Sequence, residues 1–413
     1  MAAEGPFVNA IVARSTMPKE NLAAFGMAFA VAILIEAPVI NMMATAVKIV
    51  KDYPTYLQLR RFCLTLSTAV TVVMFFIMLP PVFQFWCVDL LALPPEVSEP
   101  TWLGLFCLFP WPFAIGYRRL YQGIIIRTGE GTRVTLGTII RLIAVLISAA
   151  IFTFTGWLEG VALAGTALSV GTISEAIAAR LMAQKALNQL ERSPPSEETQ
   201  WTFRKLWQFY HPLATTTLLG LAVPPLVTFA GGKAAYPLES LAAIPVINAL
   251  MFIFRAIALS FQEVILAILG KPGGEAHLTL LRRFVTGLGI LSYVAYFAIA
   301  FTPWMFEFWF YQLMGLPSDL GEFLWVPLLL VSLIPGLAII YSWQRSILIH
   351  QGLTKPISGA SALELAVVAA ILGIGILTTN YSGAVLAMVA LSISRGAAAI
   401  YLGRAMVLRS HSL

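Results

Sequence analysis

Long apolar stretches separated by short polar segments make up most of this chain. Each stretch runs for roughly 18 to 25 residues, which is the length that a helix needs to cross a hydrocarbon layer about 30 Å thick. The pattern therefore predicts a chain that crosses a membrane many times. It predicts eleven full spans, at 21–50, 60–86, 102–126, 133–156, 159–186, 203–230, 239–269, 279–309, 322–349, 356–379 and 382–405.

Composition indicates a chain that is solvated by lipid. Hydrophobic residues make up 59% of the sequence and charged residues 11%, whereas soluble domains carry about 25% charged residues. The expected fold class is all-α and polytopic, with no soluble domain. The net charge of +6 comes from basic residues at helix ends and inside helices, so nucleic acid is not an expected partner. Three cysteines among apolar residues, Cys63, Cys87 and Cys107, are interpreted as core packing.

Loops rich in lysine and arginine alternate with loops that lack a basic excess. Basic residues close to membrane helices mark the cytoplasmic side. We therefore expect a multi-pass protein of the cytoplasmic (plasma) membrane with a cytoplasmic C-terminus. The basic loops carry Lys48, Lys51, Arg60 and Arg61, then Arg127 and Arg133, and so on to Arg404, whereas the first acidic loop carries Asp89, Glu96 and Glu99.

The second half of the chain repeats the first. LRRF at 59–62 returns at 281–284, and GVALAGTALSV at 160–170 parallels GAVLAMVALSI at 383–393. Tryptophans and prolines recur in the same order, and the offset between the halves drifts only from 219 to 223 positions. Collinear matches at a nearly constant spacing indicate a duplication.

Equivalent loops of the two halves carry the same sign of charge, so both halves cross the membrane in the same direction. Parallel repeats of this kind are related by an axis along the membrane normal, with a substrate cavity between the bundles near the midplane. We expect two six-helix bundles in a parallel pseudo-twofold repeat, at 1–186 and 203–413, joined by a polar cytoplasmic linker at 187–202.

One stretch of the second half has no counterpart in the first. Pro6 pairs with Pro225, so residues 204–224 are left unmatched. This length corresponds to about one membrane crossing. We interpret the gap as a first helix that is largely missing, through a truncated start or a misassigned initiation site. The alternative is a natural eleven-span protein with an external N-terminus.

Two local motifs, together with the parallel bundles, resemble the multidrug and toxic compound extrusion (MATE) transporters. These are the turn RSTMPKENLAA at 14–24 and the helix end YQGIIIRTGE at 121–130. Within the superfamily, LAAFGMAFAVAILIEAP (22–38), FYHPLATTTL (209–218) and FIFRAIALSF (252–261) are similar to the progressive ankylosis family of anion exporters. The resemblance implies export of small multiply charged anions such as citrate, pyrophosphate or nucleotides.

Charged side chains inside the predicted spans are the candidate site residues, because a charge in the bilayer is costly unless it faces a cavity or a partner. Glu36 and Arg255 are equivalent in the repeat and opposite in charge, and Arg141 and Glu364 are equivalent to within one residue. They would form either a site or fixed ion pairs. The candidates are Arg255, Arg141 and Arg395 for an anion, Glu36, Glu364, Glu263 and Glu175 for ion coupling or gating, and Arg118 and Arg119 for an interfacial role.

Arginine binds carboxylate or phosphate bidentately, and a glutamate can exchange a proton or hold Na⁺. Prolines inside the spans, among them Pro38, Pro110 and Pro335, predict breaks that free backbone carbonyls. The sequence has no Walker loop, nucleophile elbow or metal-binding His/Cys spacing. We therefore expect no enzyme activity, no ATP-driven pumping, no cofactor and no metal.

The leading hypothesis is a monomeric, alternating-access exporter of a small anion, driven by H⁺, Na⁺ or the substrate's own gradient. Three alternatives stay open. A cation-coupled multidrug efflux antiporter would have an acidic cavity. A flippase for lipid-linked saccharides would need a lateral opening to the bilayer. A non-transport scaffold would have all of its membrane charges locked in pairs.

Overall fold

Helices account for nearly all of the described residues, as the apolar stretches predict. A computed structural model describes residues 4–91, 93–192, 201–269, 274–351, 353 and 355–410. No strand occurs in these ranges. Of the predicted linker at 187–202, residues 193–200 lie outside the described residues, whereas its first six residues continue a helix that ends at Arg192.

The helices of the first half alternate long spans with short segments. They are α1 (Glu4–Ala13), α2 (Pro18–Glu36), α3 (Met42–Ile49), α4 (Tyr53–Met78), α5 (Pro80–Phe83), α6 (Pro95–Cys107), α7 (Trp111–Arg127), α8 (Thr132–Thr155), α9 (Gly160–Met182) and α10 (Gln184–Arg192).

The second half follows the same order after an additional helix. Its helices are α11 (Phe203–Leu221), α12 (Val223–Lys233), α13 (Pro237–Leu269), α14 (Leu278–Phe301), α15 (Pro303–Phe306), α16 (Ser318–Phe323), α17 (Trp325–Val331), α18 (Ile334–His350), α19 (Lys355–Thr378) and α20 (Gly383–Ser410).

Ten helical stretches within the described ranges are long and apolar enough to cross a membrane, and the chain is a polytopic all-α membrane protein. The predicted span at 102–126 is a pair of shorter helices, α6 and α7, which are interrupted at Leu108–Pro110. Proline lacks a backbone N–H, and its ring favours the first turn of a new helix, which explains the break. For the same reason α4 ends at Met78, before Pro80, and not at the predicted residue 86.

The duplication is visible in the helix boundaries. Helix α8 and helix α19 begin and end 223 positions apart, and so do the two π-helical segments Gln84–Leu90 and Glu307–Leu313. Helices α7 and α18 start at the same offset, as do α9 and α20. Equivalent sequences therefore form equivalent helices over most of both halves.

The chain forms two compact units whose boundaries differ from those of the two sequence halves. Unit 1 is Met27–Pro225, and unit 2 is Ala2–Gly26 together with Leu226–Leu413. Helix α11, which follows the linker, therefore belongs to unit 1. Helix α1 and the first part of α2 belong to unit 2.

In unit 1, α11 is held at the interruption between α2 and α3. The Tyr210 hydroxyl donates to the Pro38 carbonyl at 2.5 Å, and Asn41 Nδ2 donates to the Leu213 carbonyl at 2.9 Å. The Tyr210 ring meets Phe62 of α4 edge-on at 5.4 Å. The break at Ala37–Val39 thus supplies the backbone acceptor that fixes α11.

In unit 2, the N-terminal segment is fastened to the second-half helices. Asn9 Nδ2 donates to the Pro245 carbonyl at 2.9 Å, and Arg14 Nη2 donates to the carbonyls of Gln312 and Leu313, each at 2.7 Å. A side chain on Gly26 would lie 3.0 Å from the ring of Pro245, so glycine permits this close approach.

Candidate functional site

Each unit carries a polar cluster, and the two clusters occupy equivalent positions of the repeat. Most of the predicted site residues fall into one of them. The equivalent pairs are Glu36 and Arg255, which are 219 positions apart, and Arg118 and Tyr341, Gln122 and Arg345, and Arg141 and Glu364, which are each 223 positions apart.

The cluster of unit 1 is centred on Glu175 of α9, which is fully buried. Arg118 of α7 donates to Glu175 Oε2, and Gln122, one turn later, donates to Oε1 at 2.9 Å. Arg141 of α8 lies 3.6 Å from the same Oε2. Both carboxylate oxygens are therefore occupied by side chains of the same unit, and Arg118 and Arg141 are buried with it.

Trp111 connects Glu36 to this cluster. Its indole N–H, at the first turn of α7, donates to Glu36 Oε2 at the end of α2. The guanidinium of Arg141 stands over the same ring, with its Cζ 5.2 Å from the centroid. Trp111 was not among the residues that the sequence predicted for the site. The signal was an aromatic N–H between Pro110 and Pro112, at the start of a helix that carries three arginines.

Arg119, expected in an interfacial role, is partly buried on α7. Its Nη1 lies 3.8 Å from the thioether of Met43 on α3. The five charged members of the unit 1 cluster, three arginines and two glutamates, leave one positive charge.

The cluster of unit 2 has the opposite pairing on the equivalent helices. Glu364 of α19 forms an ion pair with Arg395 of α20, with 3.0 Å between Oε1 and Nη2, whereas in unit 1 the arginine is on α8 and the glutamate on α9. Tyr341 of α18 lies beside this pair, with the Arg395 guanidinium 5.0 Å from its ring centroid. Helices α8 and α9 are thus joined by an ion pair, and so are their equivalents α19 and α20. The arginine is on the first helix in unit 1 and on the second helix in unit 2.

Arg345 is a third arginine in this region, and it was not among the predicted site residues. Its guanidinium lies 5.7 Å from the centroid of Tyr341, one turn earlier on α18. Arg255 of α13 interacts electrostatically with Arg345, Arg395 and Glu364. The signal for Arg345 was a basic residue inside the predicted span at 322–349.

The two clusters differ in accessibility. Arg255 is exposed, and the side chain of Arg395 is 21% accessible, whereas the side chain of Arg141 is 7% accessible and that of Glu175 is fully buried. Unit 2 also has three arginines for one glutamate in its cluster. The unit 2 cluster therefore combines an excess of two positive charges with one exposed arginine, Arg255.

Several buried polar atoms in the described part of the chain have no hydrogen-bond partner. In unit 2 they include Arg345 Nε, Gln344 Oε1 and Gln262 Oε1, and in unit 1 they include Arg118 Nε and Arg119 Nε. A buried donor or acceptor without a partner is costly, so such atoms often mark a place where a ligand or water binds. Unit 2 offers both a donor and acceptors.

Glu263, predicted to take part in ion coupling, is exposed on α13. It follows Arg255 by eight residues, so it is rotated from Arg255 by about 80° around the helix and lies about 12 Å further along the axis.

Unit 1 also contains an apolar cavity of about 570 Å³ between α4, α7 and α9. No charged residue lines it, and it therefore suits a hydrocarbon chain and not a free ion. Its walls include Thr71, Phe75, Phe109, Phe113, Tyr117 and Ile177.

The cysteines show no sign of a reactive or metal-binding role in the part of the chain that the structure describes. Cys87 is buried, and burial raises the pKa of its thiol to about 12. Its thiolate is therefore rare at neutral pH. Within the described ranges, no group of three or more His, Cys, Asp or Glu side chains is placed to hold a metal ion.

No protein-family model matches the sequence, and no curated protein matches it. Solved structures do match the fold. An inward-facing multidrug resistance MATE transporter of the MOP superfamily superimposes with a TM-score of 0.79 at 14% identity, over 99% of this chain and 95% of that one. The lipid II flippase MurJ, in an inward closed conformation, matches with a TM-score of 0.70 at 14% identity, over 98% of this chain and 85% of that one.

A MOP superfamily transporter from Pyrococcus furiosus, described by a binding pocket of reverse polarity, matches with a TM-score of 0.62 at 15% identity, over 98% of this chain and 90% of that one. Identities this low show the fold alone. The chain has a MATE-like fold, which confirms the resemblance at that level. The closer similarity to the progressive ankylosis family stays a prediction.

Proposed function

We propose that this chain is a secondary active transporter that moves a small anion across the membrane by alternating access. The structures that share its fold are described as transporters and a flippase. We further propose that it acts as a monomer in the plasma membrane, with a cytoplasmic C-terminus, and has no enzymatic role.

The observation that carries this proposal is the charge of the unit 2 cluster. Arg395 is paired with Glu364, Arg345 lies over the neighbouring Tyr341, and Arg255, which is exposed, interacts electrostatically with all three charged residues. A positive excess inside a membrane attracts an anion and repels a cationic drug. The accessible charge of Arg255 also argues against a scaffold in which every membrane charge is locked in a pair.

The ion pair between Glu364 and Arg395 suggests how binding is coupled to a cation. An anion that takes the Arg395 guanidinium displaces Glu364 from its partner. The carboxylate then needs a new counter-charge, which a proton or Na⁺ supplies. On this account Arg255 and Arg395 bind the substrate, and Glu364 couples it to the ion. The sealed cluster of Glu175 and Arg141 holds α7, α8 and α9 together instead.

The test is flux into proteoliposomes with labelled succinate, labelled citrate, labelled pyrophosphate and a cationic dye. Wild-type protein is expected to move at least one anion and not the dye, and Arg255→Gln is expected to lower anion flux about tenfold or more, since a charge-assisted hydrogen bond contributes about 1.5 to 3 kcal/mol. Arg283→Gln, which removes an exposed arginine at the start of α14, is the matched control. Dye movement without anion movement, unaffected by Arg255→Gln, would refute the proposal.

A second candidate is a flippase for an anionic head group on a hydrocarbon chain, because the apolar cavity of unit 1 suits such a chain. It predicts transfer of a fluorescent anionic lipid between leaflets, measured by dithionite quenching, and no uptake of water-soluble anions. Phe113→Asp at the cavity wall would then abolish transfer. Uptake of free citrate with no lipid transfer would exclude this candidate.

A further inference from the structure

The unit 2 cluster has a definite charge to balance. Arg255, Arg345 and Arg395 carry three positive charges, and Glu364 carries one negative charge. Uncompensated charge is costly within a bilayer. A monoanion leaves one positive charge unbalanced, and a trianion adds an unbalanced negative charge. A dianion makes the cluster neutral while Glu364 is ionised, which is the state before this carboxylate takes up the coupling proton or Na⁺.

Arg345 and Arg395 differ in the partners that they already have. Arg345 and Arg395 approach the same Tyr341 ring, at 5.7 and 5.0 Å from its centroid, but from different helices. Arg395 is shared with Glu364, whereas Arg345 keeps a buried Nε donor without a partner. One anionic group can therefore bind near Arg255 and Arg395, and a second near Arg345.

The repeat supplies a comparison for Arg345. Its equivalent in unit 1 is Gln122, a neutral side chain that donates to Glu175 in a cluster with less excess charge. Glutamine at this position is thus compatible with the same local fold. Arg345→Gln removes one charge from unit 2 with a residue that the chain itself uses at the equivalent site.

We infer that the unit 2 cluster selects doubly charged anions, such as dicarboxylates, and that Arg345 sets this charge preference. The inference rests on the anion transport proposed above and adds the charge class of the substrate. It also adds a specificity-determining residue, because Arg345 would contact the second anionic group directly.

The test is calorimetric binding of butyrate, succinate and tricarballylate at pH 7.5 to the purified protein. These carry one, two and three negative charges on related skeletons. Wild-type protein is expected to bind succinate most tightly. Arg345→Gln is expected to weaken succinate binding about 10- to 100-fold and butyrate binding less than about threefold. Arg345→Lys is expected to keep the preference for succinate, and Arg283→Gln is the control.

Tightest binding of butyrate or tricarballylate by wild-type protein would overturn the inference, and so would an unchanged preference in Arg345→Gln. Melting temperatures of the variants show whether each is folded. Succinate binding without flux in proteoliposomes would refute transport and leave the binding site intact. Anion flux with no charge preference would refute the inference and leave the transport proposal intact.

Discussion

At the scale of residues, the same type of ion pair has two different surroundings. Glu175 is enclosed by Arg118, Gln122 and Arg141, so its charge is satisfied and removed from solvent. Arg395 is paired with Glu364, and two more arginines, Arg255 and Arg345, lie in the same cluster. Removing a residue from the first cluster should therefore damage the fold, whereas removing one from the second should damage ligand binding.

Glu175→Gln is expected to lower stability strongly, because it leaves Arg118 and Arg141 buried without their counter-charge. Breaking a buried pair in this way typically costs about 3 to 5 kcal/mol. Lys185→Gln, which breaks a 3.4 Å pair with Glu130 in which the lysine side chain is 63% accessible, is expected to cost less than about 1 kcal/mol. Unfolding in detergent, followed by circular dichroism, measures both. Equal stability of the two variants would contradict a structural role for Glu175.

The sequence predicted most of the charged residues at this scale, because charge within an apolar span is conspicuous. It could not predict which arginine meets which glutamate. Arg141 and Glu364, equivalent in the repeat, each have their ion-pair partner in their own unit, on the next helix of the chain. Which residues pair depends on how neighbouring helices are rotated about their axes. Trp111 lies in the site because α7 begins at that residue.

At the scale of elements, some prolines mark where helices break, whereas Pro212 and Pro245 lie inside α11 and α13, and small residues mark where helices touch. Pro38 and Pro110 were predicted to interrupt helices, and the structure has breaks at both. The break near Pro38 receives α11, which no pattern along the sequence could show, since α11 lies about 170 positions away along the chain. Helix α7 packs closely on α3 because Gly123 leaves room for the backbone of Met43.

Gly123→Ala is expected to destabilise the protein by about 1 to 3 kcal/mol, as overpacking a close contact does. The added Cβ would overlap the Met43 carbonyl and lie 2.6 Å from Ala46 Cβ. Gly287→Ala is the control, because nothing lies within 4 Å of its added Cβ and alanine favours a helix by up to about 1 kcal/mol. Thermal unfolding compares the two, and an unchanged melting temperature in Gly123→Ala would show that α3 and α7 are not in close contact.

At the scale of the whole molecule, the duplication produced two sets of helices in the same order, with different polar residues in their clusters. The sequence predicted the membrane class and the repeat, because long apolar stretches and matches at a nearly constant offset can be recognised along the chain. It did not predict that α11 belongs to unit 1 and that residues 2–26 belong to unit 2. Those assignments depend on contacts between segments that are distant in sequence.

The central claim is that unit 2, and not unit 1, holds the anion site. Equilibrium binding of succinate to wild type, Arg255→Gln and Arg141→Gln tests it most directly, because these arginines were equal candidates in the sequence. Arg255→Gln is expected to lose binding at an unchanged melting temperature, whereas Arg141→Gln is expected to keep wild-type affinity and to melt at a lower temperature. Loss of binding in a folded Arg141→Gln, with binding retained in Arg255→Gln, would contradict the account.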